Sequence, residues 1–225
     1  METNWNWKQC IALLCIEFIG VVYLLKLVLQ PVYTEWIGND LYAGILTGVF
    51  IAIILMGSLY VIALRPGGLS FRVVGFRDFD RKHWKLILIY TVILFIGSAI
   101  LMVLTSLIGN TWENSKTDSM QENMAFLPII LALLSASVIS PLYEEIFYRG
   151  FLYTFFKNRF GVGYGVIISA TIFTFAHIPT YNAMPVNFLG GVIFALAYER
   201  TKSIWPPILI HGIVNAVAIL LTISG

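Results

Sequence analysis

Charged residues are scarce in this sequence. Only 12% of its 225 residues are Asp, Glu, Lys or Arg, about half of the roughly 25% that is usual in soluble domains. There are only two cysteines and three histidines, and the cysteines do not form the paired pattern of a zinc site. The net charge of +2 is too small to indicate a nucleic-acid partner. These shortages argue against an ordinary soluble domain, a cysteine-rich zinc protein and a nucleic-acid-binding protein.

The N-terminal apolar run contains both cysteines. Cys10 and Cys15 are five residues apart, a spacing that does not suit a disulfide on one helix, so we expect two buried free thiols. Glu17 and Lys26 interrupt the run, and no small-residue cleavage site follows it. The pattern therefore predicts a retained membrane anchor and not a signal peptide.

Long apolar runs account for most of the remaining sequence. Hydrophobic residues make up 59% of the chain, and several runs approach the 20 or so residues that a helix needs to cross a bilayer. We predict an all-α, polytopic transmembrane bundle of about seven spans, with Pro31 ending the first span and Pro141 kinking or breaking the fourth. The predicted spans are about 10–29, 41–64, 86–108, 126–156, 162–178, 186–198 and 204–223.

Basic residues are unevenly distributed among the connectors between these spans. Most of the 14 lysines and arginines fall in connectors on one side of a seven-span model, including an interfacial basic segment at 65–85. The acidic connector 109–123 lies on the other side. Because lysine and arginine favour the cytoplasmic side, we expect a plasma-membrane protein, bacterial in type, with a cytoplasmic N-terminus and an external C-terminus.

Three charges lie together at 144–149, between apolar runs. An ionisable side chain at mid-bilayer costs roughly 2.5–3.5 kcal/mol on insertion scales, so these charges need compensation. Glu145 and Arg149 are four residues apart on one helical face and can pair, with the acid in the favourable N-terminal position. Glu144 lies about 100° round the helix and has no local partner. The pair is then a structural clamp, and Glu144 is a candidate working group.

Two histidines and an asparagine fall inside later apolar spans. A lone histidine in a membrane helix is often hydrogen-bonded to backbone without further function. However, Glu144 and His177 lie at nearly equal sequence distances on either side of a predicted turn at Phe160, so they share a depth in the membrane. His211 and Asn215 project from one face of the last span. We therefore expect Glu144, His177, His211 and Asn215 to converge.

These four residue types supply the parts of a hydrolytic site. A carboxylate in dry surroundings can act as a general base on water, and an imidazole can orient that water. A second imidazole and a carboxamide can donate hydrogen bonds to a developing oxyanion. No serine or cysteine nucleophile is required by this arrangement.

The same residues form three short motifs. They are Glu144-Glu145-x-x-x-Arg149, Phe173-x-x-x-His177 and His211-x-x-x-Asn215. These motifs look like those of the CPBP, or Abi, family of CAAX prenyl endopeptidases and bacteriocin-processing or immunity proteins. The resemblance covers about 126–218, and residues around the motifs are similar as well.

The resemblance implies an intramembrane glutamic endopeptidase without a required metal or cofactor. Glu144 would activate water with help from His177, and His211 and Asn215 would form the oxyanion site. Glu145 and Arg149 would support the first motif. The chain would then form one membrane domain with two parts, the N-terminal helices with the basic cytoplasmic segment (1–125) and a catalytic helical core (126–225).

The implied partners are the lipid bilayer and a membrane-associated peptide or protein substrate, either of CAAX type or a bacteriocin or pheromone precursor. Two alternatives stay open. One carboxylate and two histidines also suit zinc with an open position, although the His-x-x-x-His helix of membrane zinc proteases is missing. A non-catalytic scaffold, immunity protein or proton-relaying transporter is the other alternative, although transporters usually contain internal repeats.

Overall fold

The structure is a computed structural model that describes residues 5–107 and 126–224. Within these two ranges the regular elements are helices, without a β-strand, which confirms the predicted all-α class. The helices are α1 (Trp7–Ile37), α2 (Asp40–Gly67), α3 (Trp84–Leu107), α4 (126–160), α5 (162–176), α6 (Met184–Thr201) and α7 (Trp205–Ser224).

Five helical stretches of the described residues are long and apolar enough to cross a membrane, so this is a multi-pass membrane protein. The predicted count of seven spans is not confirmed. One of the five stretches, Phe126–Ala176, contains both α4 and α5, which are separated only by Gly161 at φ 85°. Helix α6, which has 18 residues and ends in charged residues, is not among the five. The acidic connector 109–123 lies outside the described residues.

The two prolines expected to disturb helices do not end them. The predicted stop at Pro31 is wrong, because α1 continues to Ile37. Pro141 lies inside α4, so the helix is not broken there, and a kink at Pro141 stays a prediction. Each proline follows a π-helical stretch, Ile16–Leu29 in α1 and Ser135–Ile139 in α4. In a π turn each N–H donates to the carbonyl five residues back, and not four. Proline has no N–H to donate. We attribute its tolerance inside these helices to the change of hydrogen-bond register in the π-helical stretch that precedes it.

The basic connectors meet at one end of the bundle. The guanidinium of Arg159, beside the turn between α4 and α5, donates to the carbonyl of Trp5. The backbone N–H of Ile204, between α6 and α7, donates to the carbonyl of Gly75 over 2.8 Å. These contacts join Trp5 to the turn between α4 and α5, and the basic segment 65–85 to the connection between α6 and α7. The chain reverses direction between α4 and α5, as the predicted hairpin requires.

An ionic cluster on Glu199 joins α6 to α4 at this basic end. The ammonium of Lys157 lies 2.6 Å from the carboxylate, the hydroxyl of Tyr153 donates to it over 2.6 Å, and Lys202 also pairs with it. Partial burial alone would raise the pKa of Glu199, but these hydrogen bonds outweigh that effect and hold the pKa below its usual range.

The most deeply buried stretch is the π-helical segment Glu145–Tyr153 of α4, in which every residue is buried. By helical rise, Glu144 lies roughly 24 Å from the turn between α4 and α5, away from the basic connectors. Both cysteines are free, as expected. Cys10 is buried, but the expectation that Cys15 is buried is wrong, because its position on α1 faces the outside of the bundle.

Candidate active site

A buried ion pair forms the base of the site. Nη1 of Arg149 lies 3.2 Å from Oε1 of Glu145, and both side chains are 0% exposed. The predicted pairing of these two residues is therefore confirmed. Arg149 also donates from Nη2 to the carbonyl of Gly191 over 3.3 Å, which ties α4 to α6.

Aromatic rings provide further compensation for the buried guanidinium. The Cζ atom of Arg149 lies 4.4 Å from the ring centre of Phe173 and 5.0 Å from that of Phe194. Cation–π attraction is strongest where water is excluded. The first motif is thus held by α5 and α6 as well as by its own helix.

His211 of α7 hydrogen-bonds to the same ion pair. Its Nδ1 lies 2.8 Å from Oε1 of Glu145, and its ring stacks on Phe194 with 4.6 Å between centres. A carboxylate only accepts, so Nδ1–H is the donor and Nε2 is left facing Glu144, whose Oε2 is 3.8 Å away. Glu145 therefore orients His211 in addition to binding Arg149, a role that the sequence did not predict.

Glu144 is more exposed than Glu145 and lacks its ion pair, although Oε2 of each residue has no hydrogen-bond partner among the described residues. The side chain of Glu144 is 13% exposed. The 3.8 Å separation from His211 exceeds hydrogen-bond length. Glu144 thus has an uncommitted oxygen beside an imidazole, whereas Glu145 is bonded to two cations or donors.

His177 follows the last residue of α5. Its Nδ1 lies 2.7 Å from the carbonyl of Phe173, and a carbonyl accepts, so Nδ1–H donates and Nε2 is the acceptor of the neutral ring. The Phe173 ring lies 4.5 Å from the His177 ring and 6.1 Å from the His211 ring. Both imidazoles are therefore brought to one aromatic ring from two helices.

Asn215 lies one turn beyond His211 on α7. Its Nδ2 donates to the carbonyl of Ala136 over 2.8 Å, in the π-helical stretch of α4. Close approach of the two helices depends on Gly212, because a Cβ atom there would lie 2.3 Å from the carbonyl oxygen of Ser137. One hydrogen of the Asn215 amide is used in the bond to Ala136, and the other is not used by that bond.

Helix α1 contributes two charged residues that the sequence had not assigned to the site. The hydroxyl of Tyr148 donates to Oε1 of Glu17 over 2.7 Å. The ammonium of Lys26 donates over 2.7 Å to the carbonyl of Ala176, the residue before His177. The signal that could have identified them was their position as two charges in an otherwise apolar run.

Within the ranges that the structure describes, no group of three or more His, Cys, Asp or Glu side chains has the arrangement of a metal site. The zinc alternative therefore gains no geometric support. The arrangement can instead perform hydrogen-bonded acid–base chemistry around Glu144.

Residues 126–217 match a family model described as type II CAAX prenyl endopeptidase, Rce1-like. The resemblance to CAAX endopeptidases is confirmed. This Rce1-like region contains all six residues singled out from the motifs, and it leaves α1 to α3 unmatched.

Two curated relatives are also named as membrane proteases or peptidases. The chain is 31% identical to "Membrane-embedded CAAX protease MroQ" of Staphylococcus aureus, over 61% of this chain and 54% of the relative. It is 24% identical to "Putative membrane peptidase YdiL" of Bacillus subtilis, over 50% of this chain and 45% of the relative. The chain thus spans about half the length of these relatives. No solved structure matches it.

Proposed function

We propose that this protein is a membrane-embedded endopeptidase in which Glu144 activates the attacking water. The observation that carries the proposal is the difference between two adjacent carboxylates. Glu145 is fully buried and is bonded through Oε1 to Arg149 and His211. The side chain of Glu144 is 13% exposed, and its Oε2 has no partner among the described residues and lies 3.8 Å from Nε2 of His211. A largely shielded carboxylate with an uncommitted oxygen beside hydrogen-bonding groups suits general-base chemistry.

In the proposed reaction, Glu144 accepts a proton from water as the water oxygen bonds to the carbonyl carbon of the substrate. Nε2 of His177 accepts a hydrogen bond from the water and orients it. The carbon–nitrogen bond of the tetrahedral intermediate then breaks, and the proton held by Glu144 passes to the leaving amine. One water is consumed, and a carboxylic acid and an amine are formed.

The developing oxyanion is stabilised from α7. Nε2 of His211, when protonated, and the second N–H of Asn215 are the donors. The bond from Nδ1 of His211 to Glu145 fixes the orientation of the ring, so that Nε2 is directed into the site. Fixed donors in a site shielded from water stabilise charge more strongly than solvent does.

The proposed substrate is a peptide or protein held at the membrane, of CAAX type or a short hydrophobic precursor of the bacteriocin or pheromone kind. The named CAAX protease among the relatives supports this class. We also propose that the protein lies in the plasma membrane of a bacterium with its basic connectors cytoplasmic, which leaves the N-terminus inside and the C-terminus outside.

Comparative peptidomics tests this function. Cells carrying wild-type protein, Glu144→Gln or Glu35→Gln are compared for membrane-associated and secreted peptides. Glu35 is an exposed residue of α1 and serves as a matched control for loss of a carboxylate. We expect peptides that are present with wild type and Glu35→Gln and absent with Glu144→Gln.

The comparison requires that all three proteins are present in the membrane in equal amounts. Identical peptide profiles for wild type and Glu144→Gln would contradict the proposed function. If Glu144→Gln also kept the full cellular phenotype, a scaffold or immunity role would account for the protein.

A further inference from the structure

Helix α5 ends at Ala176, one residue before His177. The last four carbonyls of an α-helix have no N–H partner within the helix. In a membrane-spanning stretch such carbonyls need donors from the protein, because the bilayer core offers no water to take their place. Each of the last four carbonyls of α5 therefore needs a donor from elsewhere in the chain.

Three of these four carbonyls are satisfied by the residues that follow the helix. They accept from the ring and the backbone of His177 and from the backbone of Ile178. The bonds run from Nδ1 of His177 to the carbonyl of Phe173 over 2.7 Å, from the N–H of His177 to that of Thr174 over 3.1 Å, and from the N–H of Ile178 to that of Phe175 over 3.2 Å. The two backbone bonds each run three residues back, as in a 3₁₀ turn.

The fourth carbonyl, that of Ala176, cannot be satisfied in the same way. The next donor in this three-residue pattern would be residue 179, which is a proline and has no N–H. The N–H of Thr180, one residue further on, donates to the carbonyl of His177 over 2.9 Å. This described turn therefore offers Ala176 no backbone donor.

Lys26 of α1 supplies the missing donor. Its Nζ lies 2.7 Å from the carbonyl oxygen of Ala176, and Ala176 is 2% exposed. A cation is favourable there as well, because the C-terminal end of a helix is the negative end of its dipole. Lys26 lies outside the Rce1-like region, so the family match assigns it no role.

This bond holds one side of the peptide group between Ala176 and His177. The carbonyl of that group accepts from Lys26, and its N–H, which belongs to His177, donates to Thr174. The ring of His177 is held in turn by the bond from its Nδ1 to Phe173. The direction in which Nε2 of His177 points therefore depends on where this peptide group lies.

We propose that Lys26 is a positioning residue for His177. It replaces the donor that Pro179 lacks, fixes the peptide group before His177 and thereby directs Nε2 toward the attacking water. The inference rests on the proposed function, in which Nε2 of His177 accepts a hydrogen bond from that water. Loss of the ammonium leaves the Ala176 carbonyl without its donor, so the turn after α5 rearranges to find another one and the imidazole moves with it.

Lys26→Met tests this role, because it removes the ammonium and keeps an unbranched side chain. Gln9→Met is the matched control, since Gln9 also lies on α1 and donates over 2.8 Å to a carbonyl of another helix, that of Ile62. The assay measures cleavage by purified protein in lipid vesicles, with a synthetic peptide that spans the cleavage site found by peptidomics. We expect kcat to fall about tenfold or more in Lys26→Met, the effect of a misplaced group, with KM unchanged. Gln9→Met should keep wild-type kcat and KM, although it also loses a bond between helices.

A second readout reports on His177 directly. The charge of Lys26 also acts on two carboxylates, Glu17 and Glu144, so a lower kcat alone would not identify the group through which Lys26 acts. NMR of the ring Cε1–H groups follows the three histidines of the chain, each assigned by its replacement with glutamine.

We expect the NMR signal of His177 to shift by more than its linewidth in Lys26→Met. The signal of His83, which lies in the basic segment 65–85, should stay at its wild-type position in the same variant. In Gln9→Met all three histidine signals should stay at their wild-type positions.

The inference requires both changes. A wild-type His177 signal or a wild-type kcat in folded Lys26→Met would overturn it, as would an equal fall of kcat in Gln9→Met. If Lys26→Met does not fold, Lys26→Gln replaces it, because glutamine is one bond shorter and its nitrogen falls short of the carbonyl at the wild-type position of α1. The same results then support or overturn the inference.

These measurements separate the inference from the proposed function. If Glu144→Gln cleaves as fast as wild type, the proposed function fails, and the His177 signal still shows whether Lys26 holds that ring. If Glu144→Gln is inactive and Lys26→Met is fully active, only the role of Lys26 fails.

Discussion

The two parts of the described chain, 5–107 and 126–224, both bond buried hydroxyls locally, as Thr174 does with the carbonyl of Ala170, but they differ in their buried ionisable side chains. In the N-terminal part, Thr47 and Thr91 donate their hydroxyls to carbonyls four residues back in their own helices, each over 2.8 Å. In the C-terminal part, the bond from His211 to Glu145 joins two helices. Local bonds let a membrane helix keep a hydroxyl at little cost, whereas bonds between helices fix their relative placement.

Helix α1 is the exception in the N-terminal part. Glu17 and Lys26 bond to Tyr148 and Ala176, on the two elements that precede and follow the α4–α5 turn. Polar bonds between helices therefore occur at the site in both parts of the molecule. They also occur away from it, as in the pair of Glu199 with Lys157 and the bond from Gln9 to the carbonyl of Ile62. The four predictions below test this distinction, from the largest expected effect to the smallest.

Glu145→Ala should have the largest effect on stability. It removes the acceptor of both Arg149 and His211 and leaves a fully buried guanidinium without its carboxylate. Breaking a buried pair in this way costs about 3–5 kcal/mol. Thermal unfolding in detergent measures the loss, with exposed Glu35→Ala as the control. An unchanged Tm in Glu145→Ala would show that the pair does not hold the fold.

Gly212→Ala should have the next largest effect. Its Cβ would lie 2.3 Å from the carbonyl oxygen of Ser137, so α7 must move away from α4, at a cost of about 1–3 kcal/mol. Gly57→Ala is the matched control, because nothing lies within 4 Å of a Cβ there. Equal Tm values for the two variants would contradict the close approach of α7 and α4.

Lys26→Met should have a smaller effect. It keeps an apolar stem of similar length and removes the hydrogen bond to Ala176, which is worth about 1 kcal/mol or somewhat more for a charged donor. Exposed Lys82→Met serves as the comparison, since that side chain is 71% exposed. A drop in Tm for Lys82→Met as large as that for Lys26→Met would contradict the special position of α1.

Glu199→Gln should have the smallest effect, and the effect should depend on pH. The pKa of Glu199 is lowered by Lys157, Lys202 and Tyr153 despite partial burial. A carboxyl group whose pKa is lower in the folded state than in the unfolded state stabilises the fold at pH values above its unfolded-state pKa. This stabilisation is lost as pH falls through the pKa of the folded state. The Tm difference between wild type and Glu199→Gln should therefore be present at neutral pH and shrink in acid. A difference that grows as pH falls would contradict this assignment.

The features that follow from spacing were predicted from the sequence. Four-residue spacing predicts the pair of Glu145 and Arg149, and the basic residues and glycines at 157–163 predict the turn near Phe160. Both depend on local helical geometry, which the sequence specifies directly. Charge in apolar runs likewise identifies the helix that contains Glu144.

The features that depend on how helices rotate against one another were not predicted. Whether His211 contacts Glu144 or Glu145 depends on a rotation of α7 that no spacing specifies. The π-helical stretches before Pro31 and Pro141 shift the helical register, so a count at 3.6 residues per turn misplaces the faces beyond them. The contact of Glu17 with Tyr148 spans 131 residues and has no local signal other than the isolated charge.

The rate at which purified protein in lipid vesicles cleaves a peptide identified by peptidomics tests the central claim most directly. We expect Glu144→Gln to lower kcat by about 10²-fold or more, the usual contribution of a general base, while its Tm stays at the wild-type value. Cleavage by folded Glu144→Gln at the wild-type rate would contradict the account.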